Sequence, residues 1–351
     1  MANPDQTTSG GGKAEPATGV ASIDLHCHLL PEPERSLPYL PVELGTGRDE
    51  DEVLYRGASV GPIRRLLTEP AVAVRAMDEV GLERRAMSIA PLSYRYDLPA
   101  DEAIGWHRGL NDALVEACAA HADRLVPIAI VPLQDAAAAT EEARRAVSQL
   151  GMRGIEIGTH VAGRNLDSAE LEPFWTAADE LGAAVFIHPE HTPNARWPEY
   201  YLINLLGNPV ETGVAVSSLI FGGVLDRHPG LRFWLAHGGG VAPWIAGRLR
   251  HGWDVRAEPR AHGAGNPLEI LMRNFWFDSL THDAGIVAAL VQRFGLDRVV
   301  AGSDYPFDMA DQSPLQTLEQ ALPEESARAT VYRTAMELLE PRADSGGTAR
   351  P

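Results

Sequence analysis

Short apolar runs rich in β-branched and aromatic residues alternate along this chain with longer segments whose apolar positions recur every three or four residues. The runs read as strands at 22–26 (SIDLH), 85–91 (RAMSIAP), 126–132 (VPIAIVP), 153–158 (RGIEIG), 184–189 (AVFIHP), 232–237 (RFWLAH), 274–279 (NFWFDS) and 298–304 (RVVAGSD). Amphipathic segments at 101–122, 136–150, 169–181, 211–226, 243–253 and 283–294 predict helices between them. Gly-Leu or His-Pro-Gly-Leu punctuation closes helices ahead of strands.

Eight strand–helix alternations predict an α/β fold, a (β/α)8 TIM-type barrel, which typically needs about 250 residues. A doubly wound sheet is the alternative, but no G-x-G-x-x-G follows the first strand. The chain has 351 residues, and the surplus falls into three places. Residues 1–20 and 341–351 read as disordered tails, and 32–70 as an insertion rich in Pro, Gly and acidic residues. Placed after the first strand, that insertion would lie over the C-terminal mouth of the barrel as an active-site cover. Residues 21–340 then form a single barrel domain.

Composition narrows the chemistry. A formal net charge of -18 with no basic run argues against a nucleic-acid partner. No run approaches the ~18 apolar residues that span a bilayer, and the opening residues carry no apolar signal-peptide core, so no membrane partner and a cytoplasmic location are expected. Cys27 and Cys118, far apart, offer neither a disulfide framework nor a Cys-rich zinc cage. Any metal site must therefore use histidine and carboxylate.

Candidates for such a site stand at the strand ends. In "IDLHCHLLP", His26 and His28 are one residue apart, and on an extended chain both rings point to one side, close enough to share an ion. Cys27 between them points the other way, toward packing. An isolated H-x-H is more often a pair of surface histidines at a strand–loop junction. However, the fifth run ends in His188, the sixth in His237 and the eighth in Asp304, and a barrel brings all these ends to one mouth. Three neutral imidazoles and a carboxylate suit Zn²⁺ with one open position, and the remaining histidine is left for proton transfer. Spacing does not say which histidine that is. The three glycines after His237 let its loop approach a ligand closely. The fourth run holds no lysine that could bridge two metals, and the one lysine of the chain, Lys13, lies in the first tail, so a single ion is expected. The direction of Glu156 in that run stays open.

The pieces "IDLHCHLLP", "GIEIGTHVAGRNLD", "FIHPE", "LAHGGGVAPWIAGRLRHGWDVRAEP" and "AGSDYPF", in this order, resemble the amidohydrolase superfamily of the amidohydrolase-2 type, and within it the aminocarboxymuconate-semialdehyde decarboxylase-like branch. The resemblance runs from about residue 22 to 340. It implies a (β/α)8 barrel in which His26, His28, His188 and Asp304 bind one divalent ion, Zn²⁺ or alternatively Mn²⁺, and His237 is the acid–base. It further implies that Arg248 and Arg256, eleven and nineteen residues after His237, hold a substrate carboxylate, one of them across a homodimer interface. The implied reaction is metal-dependent decarboxylation, without organic cofactor, of an unsaturated or aromatic carboxylic acid. A hydrolase or hydratase acting on a lactone, amide or conjugated acid is the alternative. The chain departs from the pattern twice. Gly61 aligns with a loop arginine of the family, leaving Arg56 as the nearby substitute, and Glu190 and His191 follow His188 and Pro189 where the family has an aromatic residue.

Overall fold

The computed structural model describes residues 21–31, 40, 42–45, 50–55, 57–190, 192, 194–263 and 265–342. Lys13, Arg56, His191 and nearly all of the two expected tails lie outside the described residues.

The first strand, β1 (Ile23–Leu29), is followed in the insertion by a small antiparallel sheet of β2 (Val42–Leu44), β3 (Val53–Tyr55) and β4 (Ala58–Gly61). Next come β5 (Arg84–Ile89), β6 (Leu125–Pro127), β7 (Ala129–Ile130), β8 (Ile155–Ile157) and the short hairpin β9 (His160–Val161) and β10 (Arg164–Asn165). The chain continues with β11 (Ala184–Ile187), β12 (Arg232–Leu235), β13 (Phe275–Asp278) and β14 (Val299–Val300). Two parallel ladders result, β1-β5-β6 and β7-β8-β11-β12-β13-β14.

The ladders join at both seams. The third predicted run is split at Ile128, whose N–H donates to Met87 O at 2.9 Å while Ala129 N–H donates to Gly154 O at 2.9 Å, so pairing passes from one neighbour to the next. At the other seam Leu25 N–H donates to Ala301 O at 2.8 Å, His28 N–H to Tyr305 O at 2.7 Å and Asp304 N–H to His26 O at 2.7 Å. The ring is closed, as the eight-strand reading predicts.

The predicted helices form at Ala100–Ala119, Ala136–Ser148, Glu172–Glu180, Asn208–Phe221, Ala242–Val255 and Ala284–Phe294. The one expected over 211–226 stops earlier, because Gly223 turns into the left-handed region at φ 72° and a separate turn, Val224–Arg227, follows. Helices Pro70–Val80, Pro267–Asn274 and Pro314–Ala321 were hidden for one reason. Each starts on proline, which punctuates a loop in a pattern search yet fits the first helical turn, where its missing N–H costs nothing.

Two apolar layers hold this frame. Ile23, Leu25, Val126, Phe186, Trp234, Trp276 and Val300 fill the barrel interior, with Phe186 and Trp234 stacked at 4.9 Å. Ala335, Leu338 and Leu339 of the last helix, Glu325–Leu339, join that cluster and seal its lower end. There the buried Arg232 donates to the carbonyls of Gly182 (2.5 Å), Glu340 (2.9 Å) and Glu337 (3.1 Å), satisfying groups a helix end leaves open. A larger cluster, with Cys27, Leu29, Val185, Phe233 and Phe275, packs strands against helices. Each fully buried Leu or Phe in these layers contributes on the order of 1.5–3 kcal/mol. No helix among the described residues is long and apolar enough to cross a membrane.

One irregularity in β1 decides what faces the mouth. Asp24 pairs with Arg85 but Cys27 pairs with Met87, so β1 spends one more residue than β5 over the same rise, as a β-bulge. Below it Ile23 and Leu25 point into the barrel; above it His26 and His28 do, while Cys27 and Leu29 pack outward.

Candidate active site

The barrel mouth brings together the five residues read at the strand ends. His26 Nε2 lies 3.3 Å, His28 Nε2 3.1 Å and His188 Nε2 4.0 Å from one oxygen, Asp304 Oδ1. His237 Nε2 faces the other oxygen, Oδ2, at 3.5 Å. The opposite nitrogen of each of the first three rings is engaged: His26 Nδ1 with Asp278 Oδ2 at 2.6 Å, His28 Nδ1 with Ser88 Oγ at 3.1 Å and His188 Nδ1 with Pro189 O at 2.7 Å. Ser88 Oγ donates its own hydrogen to Cys27 O at 3.1 Å, so it accepts from His28. Each Nδ1 thus carries a hydrogen, and each Nε2 is aimed at Asp304.

Those Nε2 atoms have no hydrogen-bond partner among the described residues, and neither has Asp304 Oδ1. Buried polar atoms left without partners are costly, about 1–3 kcal/mol each, and four aimed at one point are a donor set that could hold a divalent ion. Proximity alone also groups His26, His188, His237 and Asp304, whose donor atoms lie within 4.8 Å of one another. Hydrogen bonding separates His28 from His237. His28 is pinned at Nδ1 with its Nε2 on Oδ1, whereas His237 Nδ1 has no partner among the described residues and its side chain is 20% exposed and lines the cavity.

The electrostatics agree. Burial holds the pKa of His188 well below the usual imidazole value and lowers that of His28, so both rings are neutral. Burial opposes charge on His26 too, but Asp304 and Asp278 outweigh it and raise its pKa to about 10. For Asp304, burial is overridden by His26, His237 and His28, which hold its carboxyl well below the usual carboxylate range. The arrangement attracts positive charge. Glu156, whose direction the strand pattern leaves open, points inward, fully buried, 3.9 Å from His28 Nδ1, with burial pushing its pKa up to about 8.

Asp278 is the functional residue that pattern reading misses. Besides His26, it accepts the backbone N–H of His237 (3.0 Å), Gly238 (2.6 Å) and Leu280 (3.1 Å). It thereby holds His237 at φ 56°, in the sparsely populated left-handed region, ahead of Gly238, Gly239 and Gly240, which take positive φ without penalty. Gly302 allows the close approach: a Cβ there would stand 2.7 Å from Asp278 Cβ and 2.9 Å from His26 Cβ. The signal was an acid ending the seventh run, but residue type does not distinguish a metal ligand from a group that orients one. Asp278→Asn turns an N–H donor toward a face where only donors arrive, so metal affinity is expected to fall about 10–100-fold in chelator competition. An unchanged affinity would reduce Asp278 to a backbone brace.

A cavity of about 160 Å³ opens above Asp304, His188 and His237, walled also by Glu190, Asn208 and Phe307. Tyr55 and Val60 of the insertion line it. Its described lining includes the acids Glu190, Asp304 and Asp308 and no lysine or arginine. Arg248 and Arg256 are not brought to it. Both are exposed, on and just after helix Ala242–Val255, and Arg256 pairs with Glu258. Gly61 ends β4.

Comparison with known proteins agrees with this geometry. Residues 23–340 match the family model described as amidohydrolase. The chain is 34% identical over 308 residues, 85% of both chains, to 2-amino-3-carboxymuconate-6-semialdehyde decarboxylase of Dictyostelium discoideum. It is 29% identical over 261 residues to γ-resorcylate decarboxylase of Rhodococcus jostii, covering 70% of this chain and 79% of the relative. Among solved structures, 5-carboxyvanillate decarboxylase of Novosphingobium aromaticivorans with bound manganese superposes at a TM-score of 0.79 and 21% identity, covering 93% of this chain and 99% of that one, a likeness of fold. With its family model matched over nearly the whole barrel, the chain belongs to the amidohydrolase family.

Proposed function

We propose that this protein is a metal-dependent decarboxylase, without organic cofactor, of an unsaturated or aromatic carboxylic acid. The observation that carries the reading is the division of labour at Asp304: three pinned imidazoles share Oδ1, and the unpinned His237 lies at Oδ2 facing the cavity. The decarboxylase relatives support it. His26, His28, His188 and Asp304 would hold one ion. The three-nitrogen, one-oxygen donor set favours Zn²⁺, with Mn²⁺ as the alternative that the structural neighbour's bound manganese suggests. When bound, the ion supplies Lewis acidity and a fixed point for a substrate oxygen. His237 delivers a proton to the carbon bearing the carboxylate. The C–C bond to the carboxylate then breaks, its electron pair returns to the unsaturated system, and CO2 leaves. Asp304 Oδ2 orients His237 for that transfer.

The described cavity has no cation for the substrate carboxylate, and a second copy of the chain would supply one. Tyr200, Leu205, Leu206 and Val214 are exposed on and before helix Asn208–Phe221, and Trp244 is exposed on the neighbouring helix that carries Arg248. A homodimer burying this surface would carry one of these arginines toward the neighbouring mouth. Light scattering is expected to give twice the chain mass; a monomer at micromolar concentration would remove both arginines from the site. The lining by Tyr55 and Val60 supports the insertion as a cover of the single barrel domain. The buried free thiols of Cys27 and Cys118 suit a cytoplasmic location.

The test is a CO2-release screen of the metal-loaded protein against muconate-like and hydroxylated aromatic acids. CO2 with no oxygen taken from water is expected. Uptake of solvent oxygen without CO2 would make the same site a hydrolase or hydratase.

A further inference from the structure

His237 stands between two cavities. On one side are Asp304 and His188. On the other lies a second space of about 360 Å³, walled by Trp244, Leu280, Thr281 and His282. Asn208 lines both. It is only 6% exposed, yet its Oδ1 is buried with no hydrogen-bond partner among the described residues. Asn208 begins the α-helical part, Asn208–Phe221, of a helix already under way. Directly before it a five-residue π-helical stretch, Ile203–Gly207, changes the turn, a device common at functional sites.

A buried acceptor left unpaired costs more than a made hydrogen bond returns, so its retention beside a proton carrier points to a donor brought by the ligand. The surroundings select the donor. Neither cavity has a described lysine or arginine in its lining, and Glu190 and Asp308 disfavour a second carboxylate there. A neutral hydroxyl or amino group fits.

Building on the decarboxylase reading, we infer that Asn208 is a specificity-determining residue whose amide carbonyl accepts a hydrogen bond from a hydroxyl or amino substituent of the acid substrate. The test is calorimetric titration of the metal-loaded protein with benzoate, 2-hydroxybenzoate, 3-hydroxybenzoate and 2-aminobenzoate. At least one substituted acid is expected to bind the wild type about tenfold more tightly than benzoate, the size of one good hydrogen bond. In Asn208→Leu and Asn208→Ala that preference should shrink to about twofold or less, with benzoate affinity unchanged. The thermal midpoint of the ligand-free variants should equal or exceed that of the wild type, since the orphan acceptor is gone. A preference that survives in both variants, a wild type that binds benzoate without preference, or a lowered midpoint in both variants overturns the inference and leaves the decarboxylase reading intact. A wild type that binds none of these acids also overturns the inference, and the decarboxylase reading then stands or falls on the CO2-release screen alone.

Discussion

Asp304→Asn is expected to yield protein with almost no bound metal and no measurable decarboxylation. The wild type should carry close to one Zn²⁺ or Mn²⁺ per chain by elemental analysis. Asp304 is the point on which His26, His28 and His188 converge, and its carboxyl is held ionised by the rings around it. An amide keeps the shape and removes the charge, leaving three imidazole Nε2 atoms with no anion at the point where they converge. Outer partners of metal ligands typically account for about 10–100-fold in affinity, and the carboxylate itself should exceed that. Since a bound ion stabilises the folded chain by about 2.7 kcal/mol at one hundred times its dissociation constant, the variant should also lose the thermal shift that added metal gives the wild type. Retention of one metal per chain would mean that the carboxylate belongs to the proton path alone; two per wild-type chain would mean that Glu156, 3.9 Å from His28, takes part in a second site.

His237→Ala should separate the two halves of the site. Turnover is expected to fall by about 10²–10⁴-fold, the usual worth of a positioned acid–base group, while metal content stays at the wild-type level. The expectation rests on contact: His237 meets Oδ2, not Oδ1, and Asp278 holds its backbone, not its ring. Loss of metal in this variant would put His237 among the ligands and release His28, the other way to divide the four rings.

Much of this was legible because a parallel barrel sends every strand end to one mouth. His26, His28, His188, His237 and Asp304 could be gathered from a linear text by asking what ends each apolar run, and the structure places all five together. What stayed hidden depends on partners that no local pattern records. The break at Ile128 arises where the strand exchanges neighbours, and the antiparallel sheet in the insertion follows from strands of only three or four residues pairing with one another. Asp278 looks like any acid at a turn until the N–H groups it accepts are in place. Arg248 and Arg256 stand at the spacing the resemblance implies, yet the fold leaves both exposed and outside the described cavity, which spacing alone does not reveal.

The extra residue in β1 has a consequence for how such a site can arise or vanish. Side-chain direction in a strand works like a two-letter frame, and the bulge shifts that frame between Leu25 and Cys27. A chain without it would turn Cys27 toward the mouth and both imidazoles into the apolar layer beneath the helices, every other residue unchanged. Along this strand, a barrel that only packs and one that gathers a metal differ by a single step of counting.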